Sequence, residues 1–102
     1  MSDRVIVEAI FIAREGKTEE LKALLCSVAE ATQSDQGMVF YHLHQDVREP
    51  RRFVFFEEWQ SQADLDLHDV TPHIVALRDK LPALIDHGEV NKIRRIAPAA
   101  GL

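Results

Sequence analysis

From Arg4 to Ala13 the chain is β-branched and aromatic, with Glu8 as its main polar interruption, a pattern that predicts a strand covered on both faces over most of its length. Gly16 breaks the run. Thr18, Glu19 and Glu20 then supply a hydroxyl cap and two acids for the positive end of a helix dipole. The helix expected over 18–34 carries Leu21, Leu24, Leu25, Val28, Ala29 and either Ala31 or Thr32 at intervals of three and four, which gathers them into one buried stripe. After Gly37, residues 38–46 alternate as a strand, with Val39, Tyr41 and Leu43 on one face and Met38, Phe40, His42 and His44 on the other.

Val47 to Arg51 has the polarity and the proline of a turn, so the next strand, 52–59, is expected to form an antiparallel hairpin with the one before it. Phe53, Phe55, Glu57 and Trp59 share one of its faces, and Val54, Phe56 and Glu58 share the other. Ser61, with Asp64 three residues on, starts a short helix. Thr71-Pro72 starts another over 72–86, striped by Ile74, Leu77, Leu81, Leu84 and Ile85 and kinked or shortened at Pro82. Gly88 punctuates the chain before a fourth strand over 89–96, where Val90, Ile93 and Ile96 recur at three, a spacing that points to a bulge or an edge position. The tail 97–102 has no pattern and is expected to be loosely held.

Strand, helix, strand, strand, helix pair, strand is the βαββαβ order of a ferredoxin-like α+β fold, an antiparallel four-stranded sheet with its helices on one face. Bulky apolar residues stand on both sides of the first three strands, yet the helices cover only one. An uncovered apolar sheet face usually marks an interface, so the pattern predicts a homodimer whose sheets pack face to face as a dimeric α+β barrel.

At 102 residues the chain is expected to be a single domain over 1–102 with its core at about 4–97, and so small a core makes a site shared with a second subunit an attractive arrangement. A formal net charge of -5, with paired bases only at Arg51-Arg52 and Arg94-Arg95, argues against nucleic acid as a partner. Nothing approaches the ~20 apolar residues of a membrane span, and residues 1–5 lack a signal-peptide pattern, so a cytoplasmic location is expected. Cys26 is the one cysteine, which excludes an internal disulfide; its place in the first helix suggests packing.

Glycine-rich phosphate loops, paired-cysteine metal sites and the nucleophile-elbow motif are all missing from the sequence. Imidazoles and aromatic rings are instead dense in its middle. Glu57 ends an aromatic row, where a carboxylate either acquires a raised pKa, finds a hydrogen-bonded partner, or caps a nearby turn. His68 lies near the end of the short helix. His73 occupies the first turn of the next, where the helix dipole works against an added proton and suits it as a base or hydrogen-bond donor; a surface capping histidine is the alternative. His42 and His44 share a strand face, the geometry of a two-histidine metal pair or of a half-solvated polar face, and no metal site is expected from them. The Tyr41 hydroxyl either meets a ligand or packs against backbone.

The run from Phe55 through Glu57, Trp59 and Ser61 to His68, followed by Thr71-Pro72-His73, resembles the signature of the antibiotic biosynthesis monooxygenase family: Glu-x-Trp, a histidine nine residues on, then Thr-Pro-His. Val5 to Leu21 and Gly37 to Asp46 resemble the family's first strand, helix start and second strand, so the likeness covers about residues 4–97. The resemblance implies the same dimeric ferredoxin-like barrel. It implies an enzyme that oxidises a quinol-like or polycyclic aromatic phenol with molecular oxygen and uses no flavin, haem or metal cofactor. It places Glu57, Trp59, His68 and His73 on the wall of a pocket between sheet and helices, with His73 as proton acceptor, His68 as its partner, and Trp59 and Phe55 as the stacking surface. The same family also includes haem-degrading relatives, whose pattern matches here no further than His73, and isomerases of phosphorylated signalling compounds, for which Arg78 or Lys80 would have to supply cationic groups at the pocket mouth. A ligand-binding module without turnover is the remaining alternative, and convergence of the histidines on an aromatic-lined cavity would favour the enzyme.

Overall fold

The computed structural model describes residues 3–99. Its elements are β1 (Val5–Ala13), α1 (Thr18–Thr32), β2 (Met38–Gln45), β3 (Arg52–Trp59), α2 (Gln62–Asp69), α3 (Pro72–Leu84) and β4 (Ile85–Ile93). The four strands form one sheet in the order β2-β3-β1-β4, with every neighbouring pair antiparallel. This is the expected ferredoxin-like α+β arrangement.

Alternation along the central strands divides the sheet into two faces. Val7, Ala9, Phe11 and Ala13 of β1 and Phe53, Phe55 and Trp59 of β3 are buried on the face that Leu21, Leu25 and Val28 of α1 and Ile74, Leu77 and Leu84 of α3 cover. Burying these side chains removes roughly 1.5–3 kcal/mol worth of apolar surface from water for each large one, and this core holds the helices to the sheet. On α1 the deepest residues are Leu21, Leu25, Val28 and Thr32, so the last place in the stripe belongs to Thr32, whose hydroxyl donates to Val28 O at 2.7 Å. Cys26, one residue past Leu25, is turned outward and exposed, contrary to the packing role expected of it.

Several local expectations shift. Thr18 is the first helical residue, not the cap; Lys17 holds the cap position without a side-chain bond. Ser61 does cap α2, its Oγ accepting from the Asp64 N–H at 3.1 Å and donating to Asp64 Oδ2 at 2.9 Å. Thr71 gives its hydroxyl to the carbonyl of His68 at 2.8 Å, thereby closing α2 before Pro72 opens α3.

In β2 the pairing slips at Val39, so that Met38 opposes Trp59 while Phe40 opposes Glu58. Met38 therefore lies on the core side and not with Phe40, His42 and His44 as simple alternation predicts. β4 begins at Ile85, directly after α3, because Ile85 pairs with Ala13. Gly88 is thus inside the strand, opposite Phe11, where a Cβ would come within 3.2 Å of the Phe11 ring. Glycine here answers a close approach and not a turn. The edge position expected for β4 is correct, and its irregularity falls at the start, between the partners of Ile12 and Ala13. Val90 and Ile93 simply face opposite sides, since Val90 opposes Ala9 and Ile93 opposes Ile6.

The second sheet face is left without helices. Ile6, Ile10, Ile12 and Phe40 are half-buried there and Phe56 is 39% exposed. Glu58 is buried on the same face between Arg4, at 2.6 Å, and Arg95, at 3.0 Å.

Candidate active site

A cavity of about 390 Å³ opens between the core face of the sheet and the pair α2–α3. Its apolar wall includes Phe11, Phe55, Leu65, Ile74 and Leu77, and its polar side chains at depth are Tyr41, Glu57 and His68. Asp66, Asp69, Arg78 and Lys92 stand around it as well. On the sheet wall of the cavity, small Ala9 of β1 lies between Phe55 of β3 and Val90 of the edge strand, which is 67% exposed.

Glu57 is buried, and its Oε1 accepts the Trp59 indole N–H at 2.9 Å. Burial pushes the Glu57 pKa up to about 7; the indole bond pulls it down and Asp69 adds to the rise. Burial likewise pushes the Tyr41 hydroxyl well above its ordinary value, reinforced by Glu57 and opposed by a hydrogen bond with Thr32. The Tyr41 ring lies against Phe55, with centroids 4.7 Å apart, and edge-on to His68 at 5.2 Å. The Tyr41 ring is thus packed among aromatic neighbours and also lines the cavity.

His68 is brought into the core by α2 and wedged between Trp59, centroid to centroid 4.4 Å, and Tyr41. Burial lowers its pKa, against the pull of Asp35. Nδ1 lies 2.7 Å from Asp35 Oδ2. Among the described residues no buried side-chain nitrogen or oxygen lacks a partner and His68 makes no second hydrogen bond, so Nε2 is an accessible atom of a ring that lines the cavity.

Asp35 is the residue that sequence reasoning missed. It sits in the turn after α1, where its N–H reaches Thr32 O at 2.9 Å and its carbonyl receives Met38 N–H at 3.3 Å. Nothing local distinguishes it from any turn aspartate; His68 and His73 lie 33 and 38 residues away in sequence. Gly37 fixes the turn, with φ +76° and a hydrogen flush against the Asp64 carboxyl.

Of the four side chains expected on the pocket wall, Glu57 and His68 line the cavity, as do Phe55 and Tyr41. Trp59 and His73 do not. Trp59 is wholly buried behind Glu57 and His68 and has no free face to stack on a ligand. His73 stands on the far side of Asp35, its Nε2 2.9 Å from the same Oδ2. Lys80 belongs to a separate groove between α1 and α3, whereas Arg78 reaches the cavity mouth and donates to Asp69 O at 2.9 Å. His42 and His44 are on the other sheet face.

Asp35, His68 and His73 place one donor atom each within 4.8 Å of one another, a set that divalent transition ions also use. Contacts of 2.7 and 2.9 Å to one carboxylate oxygen are equally what two imidazole N–H donors give without an ion.

Fold and cavity together define a small α+β protein with a largely apolar cavity beside a histidine and a carboxyl group. The family profile for antibiotic biosynthesis monooxygenases matches residues 4–80, and the chain belongs to that family. It is 33% identical over 95 residues to the protein sll1783 of Synechocystis, a stretch covering 93% of this chain and 65% of that relative, so the chain spans just under two thirds of the relative's length. It is similar to protein SO0527 of Shewanella oneidensis, whose crystal structure superposes with a TM-score of 0.88 at 29% identity over 93% of each chain. Rv0793 of Mycobacterium tuberculosis, provisionally named a monooxygenase, is 29% identical over 85 residues, 83% of each chain. Its structure superposes with a TM-score of 0.86 over 95% of this chain and 99% of that one.

Proposed function

We propose that this protein is a cofactor-independent monooxygenase acting on a quinol-like or polycyclic aromatic phenol. The observation that carries the reading is His68: a ring held at Nδ1 by Asp35 on the wall of an apolar cavity large enough for two or three fused rings.

A phenolic hydroxyl seated beside Nε2 loses its proton to His68, which makes His68 rather than His73 the proton acceptor, because His73 has no access to the cavity. The resulting anion is electron-rich enough to reduce oxygen. For a hydroquinone, one oxygen atom ends on the ring as a hydroxyquinone and the other leaves as water, so the substrate itself supplies all four electrons. Glu57, with a pKa near 7, is placed to return a proton to the reduced oxygen. Phe55 and Tyr41 present the ring faces, and the apolar wall strengthens each electrostatic contact within it. The isomerase alternative is weaker, since Asp66 and Asp69 stand beside Arg78 and Lys92 and leave no net positive field for a phosphoryl group.

The uncovered sheet face supports a second part of the reading, a homodimer joined through Ile6, Ile10, Ile12, Phe40 and Phe56.

The test is oxygen uptake by metal-stripped protein with hydroquinones, naphthohydroquinones and anthrones, corrected for autoxidation. Uptake that falls at least ~100-fold in His68→Ala, and less in His73→Ala, is expected. A panel without uptake above autoxidation, or uptake indifferent to His68, overturns the reading.

A further inference from the structure

We infer that Asp35 is a positioning residue that decides which nitrogen of His68 meets the substrate, and that His73 anchors Asp35 from the solvent side. The inference rests on the reading of His68 as proton acceptor and adds to it a residue that no motif in the sequence marks.

An ionised carboxylate oxygen can only accept hydrogen bonds, so any ring nitrogen within bonding distance of it must carry a proton. Asp35 Oδ2 lies 2.7 Å from His68 Nδ1 and 2.9 Å from His73 Nε2. The first contact fixes His68 as the Nδ1–H tautomer and leaves its lone pair on Nε2. Without that contact, a neutral imidazole can carry its proton on Nε2 and then offers the substrate a donor where an acceptor is needed. The second contact explains why His73 is present at all. A carboxylate on a turn can swing; two donors converging on one oxygen, from the end of α2 and the start of α3, hold it. His73 is 21% exposed against 4% for His68, as suits an anchor outside and a reactive ring within.

The arrangement also favours the step it prepares. When Nε2 takes a proton, the ring becomes a cation, and the Nδ1–H bond to the Asp35 carboxylate becomes an ion pair in which Coulomb attraction is added to the hydrogen bond. The carboxylate thus interacts more strongly after proton transfer than before it, which is the condition for accelerating the transfer.

The experiment needs neither substrate nor oxygen, so its outcome is separate from that of the oxygenase reading. Full-length chain labelled with ¹⁵N-histidine, stripped of metal by a chelator, is examined near pH 7.5 by long-range ¹H–¹⁵N correlation, with His68 assigned from the His68→Gln spectrum. Expected is a His68 with Nδ1 protonated and Nε2 bare. In Asp35→Ala the major tautomer should reverse, in Asp35→Glu it should be partly restored, and in His73→Ala it should persist with broadened signals. Protonated Nε2 in the wild-type protein overturns the inference, and so does an unchanged tautomer in Asp35→Ala. If Asp35→Ala does not fold, the wild-type tautomer still decides. Where turnover has been found, Asp35→Ala is expected to lower kcat about 100-fold with KM nearly unchanged, and a rise in KM alone would count against positioning.

Discussion

The indole of Trp59 rests on the imidazole of His68, centroids 4.4 Å apart and planes tilted by 39°. The same indole gives its N–H to Glu57 at 2.9 Å. A side chain that does not line the cavity therefore supports two of the titratable groups that do, Glu57 and His68, and several measurable consequences come from that relationship and from the turn that carries Asp35.

Glu57 makes stability depend on pH in an unusual direction. Its pKa is 4.5 as an ordinary carboxyl and about 7 in the folded protein, so between those values the native state binds more protons than the unfolded chain. The stability that protonated Glu57 contributes is complete below the lower value and is lost as pH rises through the upper one. Glu57→Gln keeps an acceptor for the indole and does not ionise. Urea unfolding should find the variant more stable than wild type by on the order of 3 kcal/mol near pH 8, with most of that difference gone near pH 4.5. An equal gap at both pH values would show that Glu57 is not protonated by burial.

Trp59 is the sole tryptophan, so intrinsic fluorescence reports on its contact with His68. A protonated imidazole quenches indole emission, and burial holds the His68 pKa below its ordinary 6.5. Acidification should quench emission with a midpoint under that value, in Glu57→Gln as in wild type. His68→Gln should abolish the transition; a transition that survives would have another source.

Gly37 and Gly16 both have positive φ, at +76° and +80°, yet they should respond differently to alanine. A Cβ on Gly16 meets nothing, whereas one on Gly37 overlaps the Asp64 carboxyl, which also receives Gln36 Nε2 at 2.9 Å. Gly16→Ala should cost about 1 kcal/mol from backbone strain alone, and Gly37→Ala at least ~2 kcal/mol more. Thermal unfolding of the two variants gives the comparison. Comparable losses would mean that Asp64 moves aside freely.

A homodimer through the helix-free sheet face should be severed by one charge at its centre. Ile10→Glu or Phe56→Glu places a carboxylate in that face, where burial without a partner is prohibitive. Sedimentation equilibrium should record a dimer for wild type and a monomer for each variant, with circular dichroism unchanged. A wild-type monomer, or a dimer in both variants, would direct attention to another surface.

Local patterns reach a long way into this protein. Two-residue alternation in β1 and β3 and the three-and-four spacing of Leu21, Leu25 and Val28 define which faces are buried, because burial acts through periodicities that neighbouring residues already display. Glu57 and His68 could be marked as candidates in the same way, from a carboxyl on an apolar row and the family signature around it. Boundaries that depend on distant partners could not. Met38 changes face because Val39 is left over in the pairing with β3, and Gly88 is strand and not turn because Phe11 passes beneath it. The roles of the two histidines were likewise undecidable locally, for His68 and His73 are both helix-end imidazoles until the chain folds. Only the tertiary structure brings the turn after α1 against the ends of α2 and α3. There, a single oxygen of Asp35 separates a histidine inside the cavity from one outside it, since hydrogen-bond reach is a property of space and not of sequence.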